Sequence, residues 1–353
     1  MRYGFHGVKV FALPGSEDLA KKVCMHLDKK LPKPLRPKRG LKLAKVEIVT
    51  FDNENVQAQI EDVRGYFVVV IHTQCPPVNN RLTELFALLD AIKNSNAADL
   101  LLVFPYMPYA RSDRKDQPRI SVMSNVLARI FNKVLGVRRV LLLDPHDTHV
   151  KHYFDPSADE ISSIYMYADY LLDYIKNVLG GNADDIILAY SDGGAAKRFI
   201  KLRQITKLPH DYIDKARTDN KGGLVIHREI NADGQICIMV DDEICSGGTA
   251  IEDAKALKKN GAKKIIMFAP HAPLIKKGKT TKQLLRRLEI SPIDEFIFTD
   301  SIPVEDKVKG RSKFKVLSIA GLLAEAIRQT IINASVTRLH DPDYVKRYRP
   351  KYR

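Results

Sequence analysis

The chain has 353 residues, of which 45% are hydrophobic and 28% are charged, and its formal net charge is +15 at pH 7. This length suits two α/β domains with separate cores rather than one domain. No apolar run approaches the roughly 18 residues of a membrane span, and the N-terminus lacks the layout of a signal peptide. The four cysteines show neither disulfide nor metal-ligand spacing, which is typical of a reduced, cytoplasmic protein.

The excess of positive charge is concentrated in two segments, 29–45 and 346–353. A solvated surface and a loose terminus are the plainer interpretation of these segments. The alternative is a patch that binds a polyanion, and the affinity of such a patch would fall steeply as salt is added.

In chain order, short apolar runs alternate with stretches whose apolar residues recur three and four positions apart. The predicted strands are 66–72, 100–104, 139–143, 186–189, 236–240, 264–268 and 295–299. The predicted helices are 81–93, 121–135, 163–178, 249–259 and 319–330. Because apolar strands alternate with helices, we expect mainly parallel sheets flanked by helices, the doubly wound α/β class.

A polar, proline-containing stretch at 155–161 predicts a domain boundary near residue 160. We therefore expect an N-terminal domain over 1–160, a C-terminal domain over 161–335 and a basic tail over 336–353. Each half contains an apolar strand that ends in acids, VLLLDPHD at 140–147 and CIMVDDEI at 237–244. Ligands of open α/β sheets bind beyond the carboxyl ends of the strands, so we expect the functional residues there.

The most specific motif is IMVDDEICSGGT at 238–249, in which a strand ends in two acids and a small loop opens a helix. Glycines allow backbone N–H groups to approach an anion, hydroxyls add donors, and the helix N-terminus is electropositive. Asp241 and Asp242 suit ribose hydroxyls or hydrated Mg²⁺. The alternative is a structural corner in which Thr249 is the helix N-cap.

Several segments resemble one enzyme family, in the family's order, from about residue 45 to residue 330. VDDEICSGGT is similar to the signature with which phosphoribosyltransferases and synthetases bind phosphoribosyl diphosphate (PRPP). The segments 73–116, 141–155, 190–199 and 211–219 resemble PRPP synthetase motifs. The chain is thereby identified as a member of the ribose-phosphate pyrophosphokinase (PRPP synthetase) family.

The resemblance implies two phosphoribosyltransferase-like (Rossmann-like) domains and transfer of diphosphate from ATP to ribose 5-phosphate, with PRPP and AMP as products. It further implies a Mg²⁺ requirement and a homo-oligomer built from dimers, up to a hexamer, with active sites near subunit interfaces. Neither a membrane nor a nucleic acid is an expected partner.

The resemblance also implies the functional residues. The ATP-binding residues are Phe51, Asn53, Glu54, Asn55, Arg111, Ser112 and Asp116. The metal-binding residues are His146, Asp192 and Asp144. The residues that bind ribose 5-phosphate are Asp241, Asp242, Cys245, Ser246, Gly247, Gly248 and Thr249. Lys215 and Arg217 belong to a flexible catalytic loop that closes over the reacting phosphates.

Each of these segments also has a purely structural interpretation. Without the resemblance, 51–55 is only a turn, 105–116 is a solvated charged turn, and 214–223 is an exposed hairpin. A lone histidine such as His146 is more often structural than metal-binding.

The chain departs from the commoner form of the family at several positions. Cys245 replaces an aspartate, which argues against a base at that residue. Ser112 replaces a glutamine, and Asn53 and Asn55 replace acids, which leaves the nucleotide preference open. The pattern around 148–151 also differs, so regulation by ADP or phosphate is open.

Three rival functions remain. A non-catalytic regulatory relative is disfavoured because Lys215, Arg217, His146 and Asp192 are all present. A PRPP-sensing nucleic-acid regulator would need a DNA-binding motif, and the basic tail is the one obvious candidate. An ordinary phosphoribosyltransferase would not need the motifs at 105–116 and 141–155.

Overall fold

The computed structural model describes residues 4–115, 117–180, 183–218, 223–228 and 230–348, with only the backbone of 214–218 and 223–228. The chain divides into two compact units. Unit 1 comprises Met1–Ser162, Ser301–Pro303 and Ile319–His340, and unit 2 comprises Ser163–Asp300, Val304–Ser318 and Asp341–Arg353. No helix of the described residues is both long and apolar enough to cross a membrane.

Unit 1 is built on a five-stranded sheet in the order β1-β4-β5-β6-β7, in which every neighbouring pair is parallel. Two further strands, β2 and β3, form a separate antiparallel hairpin. The strands are β1 Val8–Ala12, β2 Val46–Thr50, β3 Val56–Ile60, β4 Phe67–Ile71, β5 Asp99–Phe104, β6 Arg139–Leu143 and β7 Asp159–Ile161. The α-helices are α1 Glu17–Lys30, α2 Val78–Asn94 and α3 Met123–Arg129. Helix α3 continues as a π-helix over Ile130–Val134, and short 3₁₀-helices lie at Lys33–Leu35 and Thr148–Tyr153.

Unit 2 is built on a six-stranded parallel sheet in the order β15-β14-β13-β12-β8-β9. Its strands are β8 Ile186–Tyr190, β9 His210–Tyr212, β12 Ile236–Val240, β13 Lys264–Ala269, β14 Glu295–Thr299 and β15 Phe314–Leu317. The strands β10 Asp214–Thr218 and β11 Gly223–Arg228 form an antiparallel hairpin. The helices are α4 Ile164–Asn177, α5 Gly193–Arg198, α6 Ile200–Thr206, α7 Gly248–Lys259, α8 Thr281–Glu289 and α9 Glu305–Val308.

Two helices follow the last strand, and each joins a different unit. Helix α10 Ala320–Ile331 packs on α1 in unit 1, where Lys30 Nζ lies 3.4 Å from a carboxylate oxygen of the buried Glu325. The 3₁₀-helix at Val336–His340 also belongs to unit 1, whereas α11 Pro342–Val345 packs on α4 in unit 2. The assignment of 319–335 to the C-terminal domain was therefore wrong, because the apolar faces of α1 and α10 cover each other.

The predicted elements are present. All seven predicted strands and all five predicted helices exist, with ends shifted by a few residues. Strands β4, β8 and β12 are buried at every position, as expected for strands covered on both faces. The elements that were not predicted are β1, β2, β3, β7, β9, β15, α1, α5, α6, α8, α9 and α11. The β2–β3 pair alternates apolar and polar residues on a half-exposed surface, so it lacks the continuous apolar run on which the predictions rested.

A charged cluster stabilises the amino ends of the strands in unit 2. Glu295 accepts hydrogen bonds from Lys264 Nζ at 2.5 Å and from the Tyr174 hydroxyl, and its other oxygen lies 2.9 Å from Lys315 Nζ. Burial alone would raise the pKa of Glu295, but these hydrogen bonds and charges outweigh it and lower the pKa to about 2. The ionised form is therefore strongly favoured in the folded chain.

Glu295→Gln is expected to lower the free energy of unfolding at pH 7 by about 1–2 kcal/mol, allowing for partial screening by solvent. The depressed pKa means that this contribution is complete above pH ~4.5 and is lost as the pH falls towards ~2. Urea unfolding followed by circular dichroism at several pH values measures it. Glu289→Gln is the control, because Glu289 pairs with Arg311 at a more exposed position; equal effects of the two substitutions would contradict the prediction.

Candidate active site

The loop after β12 has the geometry of an anion-binding cradle. Helix α7 begins at Gly248, and its N-cap is Gly247 in the left-handed region at φ +70°, without a side-chain capping hydrogen bond. A Cβ at Gly247 would lie 2.4 Å from Leu288 Cδ2, so both the backbone conformation and the available space favour glycine at position 247. The first turn of a helix presents N–H groups that have no partner within the helix, and its end is electropositive. These groups suit a phosphate.

Thr249 does not cap this helix. It lies within the first turn of α7 and is exposed, whereas Gly247 is the N-cap. The alternative of a structural corner capped by Thr249 was therefore wrong. The hydroxyl of Thr249 remains available at the surface of the cradle.

The two acids that end β12 occupy different environments. Asp242 is buried, and its carboxylate lies 2.7 Å from Arg198 Nη1. Its backbone N–H donates to Asp241 Oδ1 at 2.9 Å. Burial, together with the side chain and charge of Asp242, raises the pKa of Asp241 to about 7. Asp241 therefore titrates near neutrality beside a carboxyl group that is paired with an arginine.

Asp192 and Asp241 follow neighbouring strands of unit 2. Strands β8 and β12 pair in parallel, with Tyr190 opposite Val240, and the strand order turns here because β9 lies on the other side of β8. Ligands of open α/β sheets bind at such a turning point. Asp192 also caps α5, because its Oδ1 accepts a hydrogen bond from Ala195 N at 2.7 Å.

Cys245 keeps a carboxylate as its neighbour. Its Sγ donates to Glu243 Oε1 at 3.3 Å, so an acid lies beside the thiol although the residue itself is not acidic. Sequence reasoning missed Glu243, which belongs to the same strand-end motif. The signal was the run of three consecutive acids at 241–243.

In unit 1, the acids after β6 make local hydrogen bonds. Asp144 adopts φ +40° and accepts from Ser162 Oγ at 2.6 Å. Asp147 accepts from the backbone N–H of His149 at 2.9 Å and contacts its ring Nδ1 at 2.7 Å. His146 lies between them and is half-buried.

Within the described residues no group of three or more histidine, cysteine, aspartate or glutamate side chains could hold a metal ion. Mg²⁺ usually keeps several waters and takes one or two carboxylates together with substrate phosphates. Asp144 and His146 in unit 1 and, separately, Asp192 in unit 2 are donors of the kind that such an ion takes beside water and phosphate. They do not form a closed structural metal site.

The turn after β5 places Arg111 at the surface and uses Ser112 to organise the chain. The Ser112 hydroxyl accepts from Met123 N at 3.2 Å and donates to Ser121 O at 3.3 Å, which holds the start of α3. Its backbone oxygen accepts from Ser124 Oγ at 2.9 Å. Arg111 is exposed, and Asp116 lies outside the described residues.

The β2–β3 hairpin presents Phe51, Asn53, Glu54 and Asn55 at its tip. Phe51 N donates to Asn55 O at 2.8 Å, and Glu54 is in the left-handed region at φ +65°. All four side chains are exposed, and Phe51 is 48% exposed, which is unusual for a large apolar ring. An exposed aromatic face beside amide groups suits a nucleobase.

Lys215 and Arg217 lie on β10, in register with Ile226 and Leu224 of β11. The hairpin expected from the charged sequence is therefore present in the backbone. The side chains of Lys215 and Arg217 lie outside what the structure describes.

The chain matches two family models over most of its length. Residues 8–134 match the N-terminal domain of ribose phosphate pyrophosphokinase, and residues 166–341 match the phosphoribosyl synthetase-associated domain. Ribose-phosphate pyrophosphokinase 1 of Listeria monocytogenes is 31% identical over 95% of this chain and 97% of its own length. Ribose-phosphate pyrophosphokinase of Caldanaerobacter subterraneus subsp. tengcongensis is 33% identical over 95% and 98%.

The fold matches a solved relative as well. The crystal structure of phosphoribosylpyrophosphate synthetase from Mycobacterium smegmatis has a TM-score of 0.79 and 25% identity, and the match covers 93% of this chain and 100% of that one. Two parallel sheets flanked by helices and an acid-tipped strand before a glycine-rich loop define a phosphoribosyltransferase-like α/β protein with two domains. The chain belongs to the ribose-phosphate pyrophosphokinase family, which confirms the resemblance found in the sequence.

Gly247→Ala is expected to lower the free energy of unfolding by about 2–4 kcal/mol, because it combines left-handed strain with a clash against Leu288. Gly234→Ala is the matched control. Gly234 has nearly the same φ of +69°, a Cβ there would meet nothing within 4 Å, and it precedes β12 rather than following it. The expected decrease in the free energy of unfolding for Gly234→Ala is about 1–2 kcal/mol. Thermal unfolding of both variants measures the difference, and equal losses would show that Leu288 does not constrain the loop.

Proposed function

We propose that this enzyme transfers the diphosphate of ATP to the anomeric hydroxyl of ribose 5-phosphate and releases PRPP and AMP. The observation that carries the proposal is the uncapped, glycine-only start of α7 directly beyond two acids of β12. This arrangement offers a phosphate cradle next to groups that accept hydrogen bonds from sugar hydroxyls. Membership of the ribose-phosphate pyrophosphokinase family supports the reaction type.

In this proposal, the cradle binds ribose 5-phosphate. Backbone N–H groups of Gly247, Gly248 and Thr249 hold the 5-phosphate, and the hydroxyls of Ser246 and Thr249 add donors. Asp241 accepts from the ribose hydroxyls. Asp242 is paired with Arg198, and its backbone N–H donates to the Asp241 carboxyl, so it holds the end of the strand in place.

ATP is assigned to groups of unit 1. The exposed hairpin tip at Phe51, Asn53, Glu54 and Asn55 binds the adenosine, and Arg111 binds phosphate through its planar fork. Ser112 shapes the turn that carries Arg111, and Asp116 retains the role implied by the resemblance. His146, Asp144 and Asp192 are the residues that would hold Mg²⁺, directly or through water, and the ion would neutralise phosphate charge when bound.

The reaction forms a bond between the anomeric oxygen and the β-phosphorus and breaks the bond between the β-phosphorus and the oxygen bridging to the α-phosphate. AMP leaves with that oxygen, and the proton of the anomeric hydroxyl is released to solvent. Negative charge spreads over the transferred group, so cations aimed at it lower the barrier. Lys215 and Arg217 supply these cations in our proposal. Such a hairpin can exclude water when it closes.

A cytoplasmic location and a homo-oligomer built from dimers are parts of the same proposal, and the resemblance is their support. Sedimentation of the full chain at several concentrations would measure the oligomeric state. A monomer at every concentration would contradict this part alone.

The reaction is tested by incubating the full chain with Mg²⁺, ATP and ribose 5-phosphate and identifying both products by ³¹P NMR. PRPP and AMP should form together, and neither should form when ribose 5-phosphate is omitted. ADP in place of AMP would indicate transfer of one phosphate. Absence of all turnover would favour a non-catalytic regulatory relative.

Lys215→Ala is expected to lower kcat by at least about a hundredfold while the fold is retained, because it removes a charge that acts on the transition state. The control is Lys259→Ala, since Lys259 is an exposed lysine at the opposite end of α7 from the loop. Steady-state kinetics and circular dichroism of both variants are the measurements. Near-normal turnover of Lys215→Ala would remove the catalytic role of the hairpin.

The pKa of Asp241 near 7 predicts a pH dependence of substrate binding. Ionised Asp241 is the stronger acceptor for ribose hydroxyls, so KM for ribose 5-phosphate should fall severalfold as the pH rises from about 6 to about 8. Ionisation of the substrate phosphate near pH 6 affects every variant equally. In Asp241→Asn the component near pH 7 should vanish; an unchanged profile would assign that ionisation elsewhere.

A further inference from the structure

Arg287 of helix α8 lies beside the phosphate cradle. Its Nη2 is 3.9 Å from the position that a Cβ on Gly248 would occupy, and Ser246 Oγ is 3.6 Å from the same position. The neighbouring Leu288 packs beneath Gly247. Helix α8 therefore supports the loop through Leu288 and brings the guanidinium of the preceding residue, Arg287, close to Gly248.

The positive charge of Arg287 is not neutralised by an acid within the described residues. Arg287 is half-buried and takes part in no ion pair or hydrogen bond there, and Glu289 of the same helix pairs with Arg311 at 2.6 Å. The preceding residue, Arg286, is exposed. A partly buried cation next to the positive end of a helix is unfavourable unless an anion binds between them.

We propose that Arg287 binds the 5-phosphate of ribose 5-phosphate and is the residue that selects a phosphorylated sugar. This inference rests on the proposed function, because it adds a side chain to the cradle described above. A guanidinium can donate two parallel hydrogen bonds to a phosphate. The backbone N–H groups at the start of α7 would donate to the other side of the same phosphate. Neither group carries out chemistry, so the contribution lies in substrate binding rather than in turnover.

The test compares Arg287→Gln, Arg287→Lys and Arg286→Gln in the full chain. Arg287→Gln should raise KM for ribose 5-phosphate by about 10–100-fold, the range expected for a charge-assisted contact. KM for ATP and kcat at saturation should change by less than about threefold. Arg287→Lys should recover part of the loss because it restores the charge without the fork. Arg286→Gln should leave all three constants unchanged.

Selectivity distinguishes a phosphate contact from a structural role. The ratio of kcat/KM for ribose 5-phosphate to that for unphosphorylated ribose should fall in Arg287→Gln by about the same factor as KM rises. A misplaced loop would impair both sugars and ATP use, and would lower the thermal unfolding midpoint. An unchanged ratio would overturn the role of Arg287.

Calorimetric binding of ribose 5-phosphate separates this inference from the proposed reaction. If the wild-type chain binds ribose 5-phosphate but makes no PRPP, the proposed reaction fails, and weaker binding by Arg287→Gln still supports the phosphate contact. If the wild-type chain makes PRPP and Arg287→Gln binds ribose 5-phosphate equally well, the inference fails alone. If the wild-type chain binds no ribose 5-phosphate, both fail.

Discussion

The packing of Leu288 beneath Gly247 is the constraint on which the phosphate cradle depends. A side chain at residue 247 would collide with this leucine, and the backbone there is left-handed, so glycine is strongly favoured at this turn. The left-handed turn at Gly247 then determines where α7 begins and in which direction its first N–H groups point. One apolar contact between two helices thus fixes a polar binding surface.

The acids at 241–243 lie in different electrostatic environments. Arg198 pairs with Asp242, whereas Asp241 is only partly buried, and its pKa is raised to about 7. Glu243 accepts a hydrogen bond from Cys245, so the thiol has an acid as its neighbour. Although the chain carries a net charge of +15, the end of β12 is followed by three consecutive acids.

The basic segments look less unusual in the structure than in the sequence. Lys29 and Lys30 end α1, where positive charge is favourable near the helix C-terminus, and Lys30 pairs with Glu325. In the tail, Leu339 and Val345 are fully buried, so the described part of 336–353 is packed rather than loose. The C-terminal end of α1 and the ion pair with Glu325 thus account for Lys29 and Lys30.

Local sequence patterns determined the elements and the strand-end motifs of this protein, because burial on two faces and helical periodicity are properties of neighbouring residues. They predicted β8, β12 and the glycine loop correctly, and the order of the motifs identified the family. The tertiary structure alone decided that Gly247 rather than Thr249 caps α7, that Arg198 pairs with Asp242, and that α10 packs on α1. It alone brought Arg287 to the loop. Each of these depends on contacts between residues far apart in the chain, and such contacts are set by the packing of whole elements, which no local pattern encodes.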